Sequence, residues 1–262
     1  MVKLCEITHF LEKEFPPEYA EDFDNIGLLA GRCEKDVSKV ILCLDCNKNV
    51  VKEAAEKGAE LIITHHPVIL NPIKSITDAT DAGDALVFAL ENGISIYSAH
   101  TNMDSAPDGI TDTISDKLGL KAVESMEGNV GRLCKAQKGT TAKSLINRIK
   151  EVFGIKTLYS TFTGDREIKT VAICNGGGGG SLTQIARELG ADVYISGDLK
   201  HHEISEFKIS DTTDFIEIRH YDCEIIAREI LKERLEAKFK DKLEIFISDA
   251  EVSPLLDTAQ IM

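Results

Sequence analysis

The chain has 262 residues, 43% of them hydrophobic and 28% charged, which suits one large domain or two modest ones with a proper core. A formal net charge of −14 repels phosphate backbones in bulk and so disfavours nucleic acid as a partner. No stretch approaches the roughly 18 apolar residues of a membrane span, the start Met1-Val2-Lys3-Leu4-Cys5-Glu6 lacks the apolar core of a secretory signal, and seven scattered cysteines fit a reducing compartment, so the cytoplasm is expected.

Lys39-Val40-Ile41-Leu42-Cys43-Leu44-Asp45 is a short apolar run that predicts a buried strand. A helix follows from about Lys48, with Val50, Val51, Ala54 and Ala55 on one face and Gly58 as its C-terminal cap. Glu60-Leu61-Ile62-Ile63-Thr64 predicts the next strand, ended by His65-His66-Pro67, then a helix over 81–91 and a strand over 94–98. Between Gly128 and Asp165 a further helix carries Leu145, Ile146, Ile149, Val152 and Phe153 on one face. Lys169-Thr170-Val171-Ala172-Ile173-Cys174 starts the plan again, followed by a helix with Leu182, Ile185, Ala186 and Leu189 at the spacing of an apolar stripe. Gly190-Ala191-Asp192-Val193-Tyr194-Ile195-Ser196 then copies Gly58-Ala59-Glu60-Leu61-Ile62-Ile63-Thr64 in residue type, and Asp214-Phe215-Ile216-Glu217-Ile218 is the last strand of the set. Strands alternating with helices imply parallel sheets. The expectation is an α/β protein of two similar lobes from an internal duplication spaced by about 132 residues, with a metal site in the cleft between them. The first lobe is drawn over 1–127, with 225–262 as a possible addition, and the second over 128–224.

Histidine is scarce, seven in all, and most copies stand at strand ends, where open parallel sheets bind ligands. Neighbouring residues of a regular strand point to opposite faces, so His65 and His66 can converge only where the chain turns, and Pro67 supplies the break. His100-x3-Asp104 and His220-x3-Glu224 each set an imidazole and a carboxylate four residues apart, on one side of a helical turn. The same spacing at matching points of both lobes favours metal ligation over a capping acid with an incidental histidine. Three or four imidazoles and two carboxylates exceed one four-coordinate ion and suggest two, bridged by carboxylate at about 3.5–4 Å.

Asp198-Leu199-Lys200-His201-His202-Glu203 stands where His65-His66 stands in the first lobe; it extends the site, orients a substrate, or is a polar loop. Asn175 and the run Gly176–Gly180 lie between strand and helix, and read as a flexible connection in preference to a phosphate cradle, for want of the Lys-Ser/Thr of a P-loop. Cys43-x2-Cys46 reads as core packing.

Taken in order, Asp24-Asn25-Ile26-Gly27-Leu28, Ile63-Thr64-His65-His66-Pro67, Ala99-His100-Thr101-Asn102-Met103-Asp104, Ser196 to Glu203, and His220-Tyr221-Asp222-Cys223-Glu224 resemble the GTP cyclohydrolase I type 2 family, the NGG-interacting-factor-like dinuclear metal proteins. The resemblance implies two divalent ions (Zn, Fe, Mn or Co) held by His65, His66, Asp104, His220 and Glu224, with Asp104 and Glu224 bridging and His100 beside the metals as a proton-transferring group. It also implies a homohexameric toroid, a trimer of dimers whose metal sites face an internal cavity. Two departures, Thr111-Asp112 where Asn-Asp is usual and His201 where Tyr is common, remove no ligand. The function expected is a dinuclear metal-dependent hydrolase opening a purine nucleotide ring or a related bond in a small molecule; the alternative is a non-catalytic metal-binding regulatory or scaffold protein.

Overall fold

A computed structural model of the chain describes residues 1–210 and 212–255. In chain order its elements are β1 (Val2–Lys3), α1 (Leu4–Glu14), β2 (Gly27–Ala30), β3 (Asp36–Val37), β4 (Lys39–Asp45), α2 (Lys48–Lys57), β5 (Leu61–His66), α3 (Asp81–Glu91), β6 (Ser95–Ser98) and α4 (Thr101–Ser105). Next come α5 (Ile110–Lys117), β7 (Lys121–Glu127), β8 (Val130–Lys135), α6 (Ala142–Phe153), β9 (Tyr159–Ser160), β10 (Thr170–Gly177), α7 (Ser181–Glu188), β11 (Val193–Gly197), α8 (His201–Ser210), β12 (Asp214–Glu217) and α9 (His220–Glu224). The last two are α10 (Ala227–Phe239) and β13 (Glu244–Ile247). They form two α/β lobes. One comprises Met1–Ala106 and the chain returning from Ile225; the other is the continuous stretch Pro107–Glu224.

In the first lobe a five-stranded sheet has the order β13-β4-β5-β6-β2. Its strands β13, β4, β5 and β6 run parallel and β2 closes the edge antiparallel. Ile41, Ile62 and Ile96 pack with Val50, Val51 and Ala54 of α2 and Leu86 and Ala89 of α3, all buried. The signals that start and stop these helices are local. Asn47 accepts from the N–H groups of Asn49 and Val50 to open α2, and Gly58 closes it at φ 68°, a conformation that strains any residue with a Cβ. Thr80 opens α3 by accepting from the Gly83 N–H.

The second lobe holds a six-stranded sheet of order β7-β8-β10-β11-β12-β9. Its parallel trio β10, β11, β12 repeats the β4, β5, β6 arrangement, with the β7–β8 hairpin on one edge and β9 antiparallel on the other. Helix α6 is the one expected within 128–165; it buries Leu145 and Ile149, and Thr141 with Ser144 forms its capping box. Matching positions of the two trios also carry the same device. The Glu60 carboxylate accepts from the N–H groups of Ser38 and Lys39 at the start of β4. The Asp192 carboxylate accepts from those of Lys169 and Thr170 at the start of β10.

The end of β5 differs from expectation. Strand β5 does not end at Thr64 but runs on through His66, which pairs in register with Asp45 of β4. The ladder stops only at Pro67, whose missing N–H removes the next bond.

Candidate metal centre

In the first lobe the carboxyl ends of β5 and β6 bring three imidazoles together. His65, His66 and His100 each offer a nitrogen, all within 4.8 Å of one another. The ring centroids lie 5.1 Å apart for His65 and His66 and 5.2 Å for His65 and His100. Being consecutive in a strand, His65 and His66 take their support from opposite neighbours. His65 is fully buried and directs Nδ1 at the Ala99 carbonyl beyond β6, 2.8 Å away. His66 directs Nδ1 at Asp45 Oδ1 at the end of β4, also 2.8 Å away. A carbonyl or an ionised carboxylate only accepts, so in each ring Nδ1 is the donor and the Nε2 lone pair is left to coordinate. Asp104, on the single turn of α4, places Oδ1 3.5 Å from His65 Nε2.

His100 follows the same rule with a different acid. Its Nδ1 lies 2.8 Å from Asp24 Oδ1, and the other Asp24 oxygen accepts from the backbone N–H and the hydroxyl of Thr101. Burial pushes the Asp24 carboxyl up, but the bonds from His100 and Thr101 outweigh it and hold it at about 2. Asp24 therefore stays ionised across the neutral range.

In the second lobe His220 and Glu224 begin and end the one-turn helix α9, and the four-residue spacing sets Nε2 2.8 Å from Glu224 Oε2. His220 Nδ1 meets Asp198 Oδ2 at 2.8 Å, with Asp198 itself in the left-handed region at φ 55°. Glu224 is buried; its Oε1 accepts from Asn175 Nδ2 at 3.0 Å, and Asn175 in turn accepts from the Thr111 hydroxyl at 2.6 Å. Thr111, one of the two departures from the family pattern, is thus part of the support of Glu224. A Cβ on Gly176 would lie 2.1 Å from Glu224 Oε1, so only glycine leaves that carboxylate its place.

The other marked motifs take different roles. The glycine loop is pinned rather than flexible: the Gly178 N–H donates to Ser196 Oγ, the Gly180 N–H to Glu203 Oε1, and Tyr194 Oη to the Gly178 carbonyl. Two of the loop's N–H groups, those of Gly178 and Gly180, are thereby committed to side chains of the protein. His201 and His202 are exposed at the start of α8, and among the described residues neither joins a group of metal-competent side chains. Cys43 is wholly buried, which pushes its thiol up, as core packing requires. Sequence reasoning did not single out Asp24, Asp45, Asp198 or Asn175 as supports. The signal was their place: Asp45, Asn175 and Asp198 lie at or just past the carboxyl ends of parallel strands.

Imidazole nitrogen and carboxylate oxygen, each histidine held through Nδ1, form a donor set that fits a borderline divalent ion such as Zn, Fe, Mn or Co. A family model described as Duf34/NIF3 (NGG1p interacting factor 3) matches residues 2–254. The chain belongs to the Duf34/NIF3 family. Among the family's members, the GTP cyclohydrolase 1 type 2 homolog of Clostridium perfringens is 37% identical over 90% of this chain and 94% of that protein. NIF3-like protein 1 of Drosophila melanogaster is 31% identical over 98% of this chain and 90% of that one. The crystal structure of the Staphylococcus aureus protein SA1388 superposes with a TM-score of 0.88 at 25% identity, covering 97% of this chain and 99% of that one. Reduced HcgD from Methanocaldococcus jannaschii is similar with a TM-score of 0.84 at 30% identity, covering 95% and 98%. Among the described residues no helix is long and apolar enough to cross a membrane.

Proposed function

We propose that the chain is a cytoplasmic metal-dependent hydrolase whose centre takes two divalent ions from His65, His66, Asp104, His220 and Glu224. The observation that carries this reading is the common orientation of the histidines. His65, His66 and His220 all commit Nδ1 to an acceptor at 2.8 Å, which fixes the tautomer that coordinates through Nε2. Packing alone gives no reason for three rings to share it. When bound, paired divalent ions lower the pKa of a water and polarise a substrate oxygen.

The remaining work falls to the chain's own groups. His100 is held like the ligands, with Nδ1 on the carboxylate of Asp24, which remains an anion at neutral pH. His100 would accept a proton at Nε2 and return it to the leaving group, with Asp24 fixing the tautomer and the orientation of the ring. The substrate class, a small molecule or nucleotide, comes from the relatives' name, GTP cyclohydrolase 1 type 2 homolog. For GTP the bond opened would lie in the five-membered ring of the purine, at C8.

Metal analysis of the purified protein beside product formation from a panel of nucleotides, with and without added metal, tests the proposal. Two ions per chain with metal-dependent turnover are expected. Failure to take up metal even after loading overturns the centre; two ions without turnover of any substrate overturn the hydrolase and leave a metal-binding regulatory protein. We further propose a homohexamer, on family resemblance. Light scattering that returned a single 28.8 kDa chain at working concentration would exclude it.

A further inference from the structure

Glu251 is a buried carboxylate, 7% exposed, in the segment after β13. Its Oε1 accepts from the backbone N–H groups of Leu44 at 2.8 Å and Asp45 at 2.6 Å, and its Oε2 from that of Leu44 at 2.9 Å. Oε2 also accepts from Arg228 Nη1 of α10 at 3.1 Å. The position of these bonds is telling. Strand β13 pairs with β4 only as far as Ile247 opposite Leu42, and the Ser248 N–H donates to the Leu42 carbonyl as the last bond of that ladder. Beyond it, among the described residues, no strand lies beside the two final amides of β4 on that side. The Glu251 carboxylate takes over from the strand.

What those amides carry is the support of a candidate ligand. Asp45 is opposite His66 in the β4–β5 register, and its Oδ1 receives His66 Nδ1 at 2.8 Å. A carboxylate can set the plane and tautomer of an imidazole only if its own backbone is fixed, and Asp45 is the last residue of its strand. We infer that Glu251, held by Arg228, is a positioning residue for the metal centre: it extends the ladder of β4 by two amides so that Asp45 holds His66 in its coordinating orientation. The inference rests on the metal-centre reading above. It assigns to the C-terminal segment a part in metal affinity and not only in fold stability, and it implies that the effect of Glu251 passes through Asp45.

The test is cobalt binding by the full chain, followed by chelator competition and by the visible absorption of the bound Co(II). Loss of an outer partner of a metal-bound histidine costs about 10–100-fold in affinity, and that is expected of Asp45→Ala. Glu251→Gln should weaken binding by about 10-fold and shift the Co(II) spectrum. In the Asp45→Ala background the same Glu251→Gln change should cost no further affinity. If Glu251→Gln does not fold, Glu251→Asp keeps the charge but is one methylene short of reaching both amides, and the same pattern is expected. A variant that melts earlier yet binds Co(II) as tightly as the parent, or one whose affinity loss persists undiminished without Asp45, overturns the inference. A parent chain that binds no Co(II) overturns the metal-centre reading instead.

Discussion

The two lobes use one device at the amino ends of their parallel strands and different devices at the carboxyl ends. Glu60 and Asp192 stand before β5 and β11, and each ties down the first amides of the adjacent strand. In both, burial pushes the carboxyl up but the backbone N–H groups outweigh it and hold it below its ordinary value. At the other end the copies part. The first lobe ends β5 in His65 and His66, while the second ends β11 in Gly197 and follows it with Asp198, an acid that orients His220. The shared ends are what a duplicated βαβαβ plan needs to fold. The divergent ends, beyond the carboxyl termini of the strands, are where such sheets carry their chemistry.

Of the proposed ligands, Glu224 should show the largest effect. Glu224→Ala is expected to lower the occupancy of both ions, read by elemental analysis; full retention of two ions would remove Glu224 from the ligand set. Next comes His100→Asn, which should keep both metals and reduce turnover by roughly 10²-fold or more, the scale for losing a general acid or base. Metal loss in that variant would make His100 a ligand, and an unchanged rate would make it packing. Asp24→Asn should follow it in the same direction with a smaller loss.

A matched pair of glycines sharpens the contrast further. Gly176 and Gly58 share a left-handed φ, 64° and 68°, but a Cβ meets Glu224 at the first and nothing within 4 Å at the second. Gly58→Ala should cost about 1 kcal/mol of unfolding free energy and leave metal content alone. Gly176→Ala should cost about 2–3 kcal/mol and weaken metal binding, because the carboxylate must move. Equal metal binding by the two variants would break the link between the glycine and the ligand.

The smallest effects belong to the shared device. Glu60→Gln and Asp192→Asn should each lower stability by about 1–2 kcal/mol at neutral pH, the worth of hydrogen bonds to a charged group at a partly exposed site. A carboxyl whose folded value is depressed contributes stability above its ordinary range and loses it as pH falls through the lowered folded value. The gap between parent and variant, followed by denaturant melts, should therefore close on acidification. A gap that widened in acid would contradict the sign of both shifts.

The legible parts of the sequence were those fixed by short-range patterns. The central strands announced themselves as apolar runs because both faces are covered, and α2 as an amphipathic segment with a glycine stop. Strand β7 could not be read this way, since most of Lys121–Glu127 is exposed at a sheet edge. Two-residue strands such as β1 and β9 have no period to detect. Within the candidate centre the histidines stood out by rarity and position. Their supports did not, because an aspartate in a loop gives no sign of its partner, and His100 lies 76 residues from Asp24.

The order of the chain has a consequence for how it is made. The second lobe is one continuous stretch, so its strands can meet as soon as it is synthesised, whereas the first lobe is interrupted by all of it. Strand β13 joins β4 only after the chain has returned, and the Glu251 bond to Leu44 closes across 207 residues. Closing so long a loop is slow and comes late, since its entropy is spent before the contact repays it. The inserted lobe should then gain amide-exchange protection first in refolding, with β4 protected last. A growing chain would present His65 and His66 well before Glu251 is made to anchor Asp45, which puts completion of the proposed metal centre after synthesis of the segment that follows β13.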